Sequence, residues 1–220
     1  MSICVEVWGE LACFSRSEFK TERVSYDMMT PSAARGLIEA IYWHPGMRWV
    51  IDRIHVCQPI RFTNIRRNEG KDTISARKVK RVMEGAQEAL YLVMPESIQQ
   101  RAAMVLREVR YVIEAHFEMT DRAAAGDNPG KFQDIMKRRL AKGQFYHQPC
   151  FGVREFPAHF APCDQIPPCP EELRGERDLG WILLDMDYTD PQNIQPLFFR
   201  AVLHDGVLEV PDPNGKEVYR

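Results

Sequence analysis

Little in this chain of 220 residues suggests a membrane, secreted or nucleotide-hydrolysing protein. No apolar run approaches the roughly 20 residues that a bilayer-spanning helix requires. The N-terminal segment MSICVEVWGELACF has neither a basic leader nor a signal-peptide apolar region, which predicts a cytoplasmic location. Cysteine is sparse and unpatterned: Cys4, Cys13, Cys57, Cys150, Cys163 and Cys169 are irregularly spaced and include no CxxC pair. A disulfide framework belongs to smaller secreted chains, so reduced thiols are expected. A zinc site from Cys150, Cys163 and Cys169 with His147 or His159 would have spacings unlike a usual finger or ribbon, and neither metal nor cofactor is expected. The chain also lacks a Walker loop, a GxGxxG turn, an HExxH helix and a nucleophile elbow. Clustered carboxylates of the kind a metal-dependent nuclease uses are not evident, and neither are repeats or low-complexity tracts.

What is present is ordinary in amount and unusual in distribution. Hydrophobic residues make up 45% and charged residues 27%, typical of a globular protein with a substantial core in one large or two small domains. The net charge is −2, yet the window Arg61–Arg81, RFTNIRRNEGKDTISARKVKR, holds eight Lys/Arg against Glu69 and Asp72. That window is therefore +6 and the remainder of the chain −8. Charge gathered in this way draws a polyanion to one surface. Phe62, Thr63, Asn64 and Ser75 lie among the cations and add stacking and hydrogen-bonding groups, as RNA binding prefers. The candidate phosphate contacts are Arg61, Arg66, Arg67, Lys71, Arg77, Lys78, Lys80 and Arg81, with Lys137 and Arg138 in a second basic cluster. Phosphate contacts carry little sequence information, so weak binding of duplex DNA is compatible with the same surface.

Periodicity supplies the elements. Ile3 to Val7 alternate as a strand. Thr30-Pro31-Ser32 opens a helix whose stripe is Ala34, Leu37, Ile38, Ile41 and Tyr42, and Pro45-Gly46 ends it. Trp49 to Ile60 reads as a second strand leading into the basic arm. In the arm, Asn68-Glu69-Gly70 is a turn signal, which predicts a protruding hairpin or a loop that orders on RNA. Residues 99–110 are ambiguous, but from Tyr111 the chain alternates strictly, with Tyr111, Ile113, Ala115 and Phe117 on one face and Val112, Glu114, His116 and Glu118 on the other. Asn128-Pro129-Gly130 opens a second helix with stripe Phe132, Ile135, Met136 and Leu140 and stop Gly143. Pro157 to Pro170 reads as a connecting loop. Trp181–Tyr188, Leu197–Leu203 and Val207–Val210 read as strands, the last two joined at Asp205-Gly206. This order predicts an α+β protein. Residues 1–145 would form a ferredoxin-like domain carrying the arm at 61–81, and residues 146–220 a small antiparallel β domain.

Metal-free RNA cleavage needs a base for the 2′-hydroxyl, an acid for the leaving oxygen and cations for the phosphorane. His116, between Glu114 and Glu118 on its strand face, is a candidate acid or base or else an idle strand histidine. Tyr42 reads first as a core or boundary tyrosine. Trp43, His44 and the Phe145-Tyr146-His147-Gln148 cluster could pack or stack on bases.

Four blocks carry a resemblance: ERVSYDMMTPSAARGLIEAIYW (Glu22 to Trp43), PIRFTNIRRNE (Pro59 to Glu69), RYVIEAHFEMTDR (Arg110 to Arg122) and FGVREFPAHF (Phe151 to Phe160). In this order, over nearly the whole chain, they resemble the type I-C, or Dvulg-subtype, CRISPR-associated endoribonucleases of the RAMP superfamily. The resemblance implies a ferredoxin-like N-terminal domain and a small β-rich C-terminal domain. It implies metal-independent cleavage of the precursor CRISPR RNA repeat hairpin by 2′-hydroxyl attack, leaving a 2′,3′-cyclic phosphate. The product stays bound through its 5′ handle, and the protein becomes a subunit of the surveillance complex. Tyr42 in Ala-Ile-Tyr-Trp and His116 in Glu-Ala-His-Phe fall on the family's catalytic tyrosine and histidine. A lysine precedes that histidine in the family pattern, whereas this chain has Ala115. Either Lys20, Lys71 or Lys137 substitutes, or the chemistry proceeds without it. A non-catalytic subunit that only holds the RNA handle is the alternative reading.

Overall fold

Ile3, Val5 and Val7 alternate with polar neighbours, and each is nearly or wholly shielded from water, so the first strand forms one wall of the core. The computed structural model describes residues 2–19 and 22–220. In chain order its strands and helices are β1 (Ser2–Ala12), β2 (Arg23–Val24), α1 (Pro31–Ile41), β3 (Met47–Val56), β4 (Phe62–Gly70), α2 (Ala76–Met83), β5 (Ile98–Met119), α3 (Pro129–Lys142), β6 (His159–Pro162), β7 (Glu176–Asp187), β8 (Gln195–His204), β9 (Val207–Glu209) and β10 (Val218–Tyr219). The sheet runs β10-β8-β9-β3-β5-β1-β6, with β2 and β4 added on β5 and β7 on β8. It is a mixed α/β protein with one large, mainly antiparallel sheet and few helices.

Both sheet-packing helices begin as the sequence predicts. The Thr30 hydroxyl accepts from the Ala33 amide at 3.2 Å, and the Asn128 side chain accepts from Lys131 N at 2.9 Å. Pro31 and Pro129 occupy the first helical turns, where no amide donor is missed. Gly143, at φ 61°, ends α3 in the left-handed region. Helix α1 stops at Ile41, earlier than Pro45-Gly46, because Tyr42 adopts an extended backbone at φ −151°. Phe132 of α3 is fully buried and meets Phe117 of β5 edge-on at 6.1 Å and Tyr42 at 6.3 Å. The apolar alternation from Tyr111 to Phe117 therefore faces the helices, and Glu114, His116 and Glu118 face away.

The basic arm differs from its predicted form. Asn68-Glu69-Gly70 is not a turn; all three residues lie in β4, opposite Gln100, Gln99 and Ile98. Nine consecutive main-chain pairings with β5 outweigh a local turn preference. The arm is a ribbon of β4 and the first part of β5, continued by α2, which buries none of its residues. Its turn-back is fastened by Ser97, whose hydroxyl bonds the Asp72 carboxylate at 2.9 Å and whose carbonyl accepts from Lys71 N at 2.8 Å. The ambiguous segment from Gln99 belongs to β5, a single strand of 22 residues. The proline-rich loop is not strand-free: β6 pairs with β1 from Val5 to Trp8. Strand β3 ends at Val56, short of Ile60, and Pro59 follows in the connection to β4.

A tight approach fixes the segment after α3. The Cys13 amide donates to Phe151 O at 3.0 Å, and a Cβ on Gly152 (φ 82°) would lie 2.0 Å from Cys13 O. Only glycine fits there. None of the helices among the described residues is long and apolar enough to cross a membrane.

Candidate functional site

Strand β5 supplies Glu114, His116 and Glu118 to the face away from the helices, and its neighbour β3 supplies Arg48, Asp52, Arg53 and His55. These side chains pair across the strands. The Nδ1 of His116 lies 2.8 Å from Asp52 Oδ1, and the Nε2 of His55 lies 2.6 Å from Glu114 Oε1. Arg48 bonds Glu118 and Arg53 bonds Glu209, each at 2.6 Å. Asp52 continues the alternation of Arg48 and Val50 on this face, and the bulge between Ile51 and Arg53 brings Arg53 and His55 out beside it. The His116 and Asp52 side chains are 35% and 41% exposed, so a histidine already held by a carboxylate is open to a ligand. On this face Cys163 N donates to Cys4 O at 3.0 Å, and burial pushes the Cys4 thiol up to about 12 and the Cys57 thiol up to about 11.

Tyr42 lies elsewhere. It is 5% exposed, caps the C-terminus of α1 and packs on Phe132 at the helical face. Arg139 stacks 5.1 Å above its ring and donates to the Ile41 carbonyl, joining the end of α1 to α3. Burial raises the Tyr42 hydroxyl above the usual tyrosine pKa, and the nearby Arg139 and Lys131 charges only partly oppose this. His44, Asp127 and Lys131 surround the same helix ends, with His44 Nδ1 3.7 Å and Lys131 Nζ 2.8 Å from Asp127. Among the described residues no hydrogen bond or ring contact joins Tyr42 to His116, and strand alternation sets them on opposite faces of the sheet. Ala115 is fully buried in the core. Lys20 lies outside the described residues, Lys71 sits at the far end of β4, and Lys137 is exposed on α3.

The basic residues divide by strand face. Phe62, Asn64, Arg66 and Asn68 form one exposed row on β4, beside Gln100, Ala102 and Met104 of β5. Arg67 points the other way: its side chain is 15% exposed and pairs with Glu155 and Glu69. It ties the ribbon to the body of the protein instead of displaying charge. Arg61 pairs with Glu108 at 3.6 Å, Lys80 with Glu84 at 3.9 Å and Arg81 with Glu88 at 3.0 Å. Arg66, Lys71, Arg77 and Lys78 form no ion pair among the described residues, and neither do Lys137 and Arg138 on α3. The exposed row combines an aromatic ring, amides and an unpaired guanidinium, the set that grips a nucleic-acid backbone and stacks on bases.

Cys150, Cys163 and Cys169 do not form a metal-binding group. Cys150 faces Pro157 across an isolated bridge, Cys163 lies by Cys4, and Cys169 lies by Gly206. Among the described residues no three His, Cys, Asp or Glu side chains are grouped to hold a metal.

One face of this antiparallel sheet carries a partly exposed histidine–carboxylate pair, and a basic ribbon is built on the other end of the same long strand, in a mixed α/β protein. A family model described as "CRISPR-associated protein (Cas_Cas5)" matches residues 2–211, and the chain belongs to this family, Cas_Cas5d. A protein of Mannheimia succiniciproducens named "CRISPR pre-crRNA endoribonuclease Cas5d" is 50% identical over 223 residues, spanning 99% of this chain and 98% of that one. One of Thermus thermophilus with the same name is 39% identical over 234 residues, spanning 98% and 94%. A solved structure described as "Crystal Structure of CRISPR-associated Protein" shares the fold, with a TM-score of 0.70 at 19% identity over 100% of this chain and 97% of that one.

Proposed function

We propose that this protein is the endoribonuclease that cuts precursor CRISPR RNA within its repeat. The observation that carries this reading is the 50% identity, over 99% of the chain, to a relative named for that activity. The reaction is a transesterification. The 2′-oxygen bonds to phosphorus, the bond to the 5′-oxygen breaks, one proton leaves the 2′-hydroxyl and one arrives on the 5′-oxygen. His116, held by Asp52, carries one of these proton transfers, and no metal is required. Tyr42, kept neutral by burial, serves as a hydrogen-bond donor and not as a base. As the two residues lie on opposite faces, one phosphate would reach both only from the end of the sheet at Met47 and Met119, which pair with each other.

The strand order β3-β5-β1-β6, with α1 between β1 and β3 and α3 between β5 and β6, supports a ferredoxin-like arrangement for this part of the sheet. We keep the division between the catalytic segment and a β-rich segment at 145/146, with the second segment lending β6, the fourth strand of the ferredoxin-like set, to β1 of the first. The ribbon row Phe62, Asn64 and Arg66, with Lys71, Arg77, Lys78, Lys137 and Arg138, grips the repeat hairpin and later the 5′ handle within a surveillance complex. Duplex DNA would engage the same cations more weakly.

One observation favours a second reading, a subunit that holds the handle without cutting: Ala115 is buried where the family pattern has a lysine. Incubating the protein with repeat RNA in EDTA separates the two. Cleavage to a cyclic-phosphate end supports the enzyme, whereas tight binding of RNA that stays intact overturns it.

A further inference from the structure

We propose that the cleft beside Trp8 is a pocket for one unpaired RNA base, an inference that rests on the RNA-processing function proposed above. The cleft is an open depression of about 440 Å³ on the face away from the helices, lined by Glu6, Trp8, Gln58, Glu108 and Arg110. Trp8 is 38% exposed although it lies in β1, a central strand of the sheet. Its indole stacks on the His159 ring of β6, with centroids 5.9 Å apart and planes 25° from parallel. Two strands therefore hold a flat aromatic pair at the edge of a cavity, and stacking on such a platform is how single-stranded bases are held.

The charges around the platform select a base over a phosphate. Arg110 is bonded to Glu6, and Arg61 pairs with Glu108 at 3.6 Å. Each guanidinium at the cleft is matched by a carboxylate, so there is no surplus positive charge to hold a phosphate here. What the lining presents is carboxylate acceptors and the Gln58 amide, which offers both a donor and an acceptor to a base edge. A base with an exocyclic amino group suits this set best.

The backbone adds an independent sign. Glu108 has φ 54°, one of two non-glycine residues among those described with positive φ. It sits in β5 just beyond Leu106, where the pairing with β4 ends, and inside the pairing with β1, which holds Arg107 on one side of it and Val109 on the other. A left-handed glutamate is uncommon, and such strain collects at functional positions. This position sets the cleft at the root of the basic ribbon, where Arg61, the partner of Glu108, directly precedes Phe62. RNA lying along the ribbon would pass directly over the pocket.

The test uses the full chain and repeat RNA from the host CRISPR array, alongside copies carrying one abasic nucleotide at each unpaired position. Trp8→Ala is expected to weaken binding about 10- to 100-fold, the range for one lost base stack, while Trp8→Phe keeps most of the affinity. One abasic position should impose the same loss on the wild type and no further loss on Trp8→Ala. Wild-type protein irradiated with 5-iodocytidine RNA should cross-link at the Trp8 peptide, a readout that needs no variant to fold. Unchanged affinity in Trp8→Ala, or losses that add at every abasic position, would overturn the pocket and leave the endoribonuclease reading standing. A wild type that binds no repeat RNA would overturn both.

Discussion

Removing the imidazole of His116 and weakening its Asp52 partner are predicted to have very different effects on cleavage. A positioned acid or base contributes about 10²- to 10⁴-fold to a rate, so His116→Ala should lose that much. The partner is worth less. The side chains are 35% and 41% exposed, so the 2.8 Å contact sits in solvent, where an ion pair contributes only about 0–1 kcal/mol. Asp52→Asn retains a polar group beside the ring and loses at most one hydrogen bond of about 0.5–1.5 kcal/mol, equivalent to roughly 2- to 10-fold. Both variants should fold, because neither side chain is in the core, and surface changes cost about ±0.5 kcal/mol. The assay is single-turnover cleavage of repeat RNA in EDTA with the protein in excess, so that binding does not limit the rate. Adding Asp52→Asn to His116→Ala should cost nothing more, because aspartate acts only through the histidine. A loss in Asp52→Asn as deep as in His116→Ala would refute the solvent-exposed estimate. Full activity in His116→Ala would refute the assignment, and equal loss of binding and cleavage would make the histidine structural.

Three further outcomes follow from the geometry. Arg66→Glu should weaken RNA binding and flatten its salt dependence by about one unit of slope, whereas Arg67→Glu should chiefly lower the melting temperature by breaking the contacts to Glu69 and Glu155; filter binding against salt and thermal melts distinguish them. The Tyr42 hydroxyl has its pKa raised, so its contribution to stability is complete below the ordinary tyrosine value near 10 and is lost as pH rises through the higher folded value. A midpoint drop above pH 10 that Tyr42→Phe reduces would show this, and a drop identical in the two proteins would contradict it. Cys4 and Cys57, at about 12 and about 11, should react slowly with a disulfide reagent at pH 8 in the folded protein and rapidly in guanidinium; equal rates in both states would contradict their burial.

The parts of the fold that could be read from sequence are those with local causes. Thr30-Pro31 and Asn128-Pro129 start helices because a side-chain acceptor and a fixed φ act within one turn, and Asp205-Gly206 turns because both residues take positive φ. Tyr111 to Phe117 alternates because one face is buried, so His116 was placed on the correct face. The arm was not legible, because the pairing of β4 with β5 crosses a long connection and no local signal reports it. For the same reason Arg61–Arg81 read as uniform charge, although alternation turns Arg66 outward and Arg67 inward. Strict alternation places Asp52 with Arg48 and Val50, but the bulge at Ile51/Arg53 then shifts the period and adds Arg53 and His55 to the same face, and the four residues of β6 among prolines carry too little pattern to be read.

Strand β5 makes the two halves of the proposed function mechanically dependent. Its first part is the ribbon partner of β4, up to Leu106, and its last part pairs with β1 and β3 and carries His116. Ala102, opposite Arg66, stands 14 residues from His116 on the same strand, which at about 3.3 Å per residue is at most about 46 Å. No flexible linker intervenes. Main-chain pairing with β1 runs on both sides of Glu108, at Arg107 and Val109, and Arg61 pairs with its side chain, so the direction of the ribbon is set by the core. On the proposed function, a hairpin gripped along the exposed row of β4 would be held at a set distance from the His116 face. The cut site would then be selected by measurement from the hairpin as well as by reading bases, with the single strand β5 as the ruler.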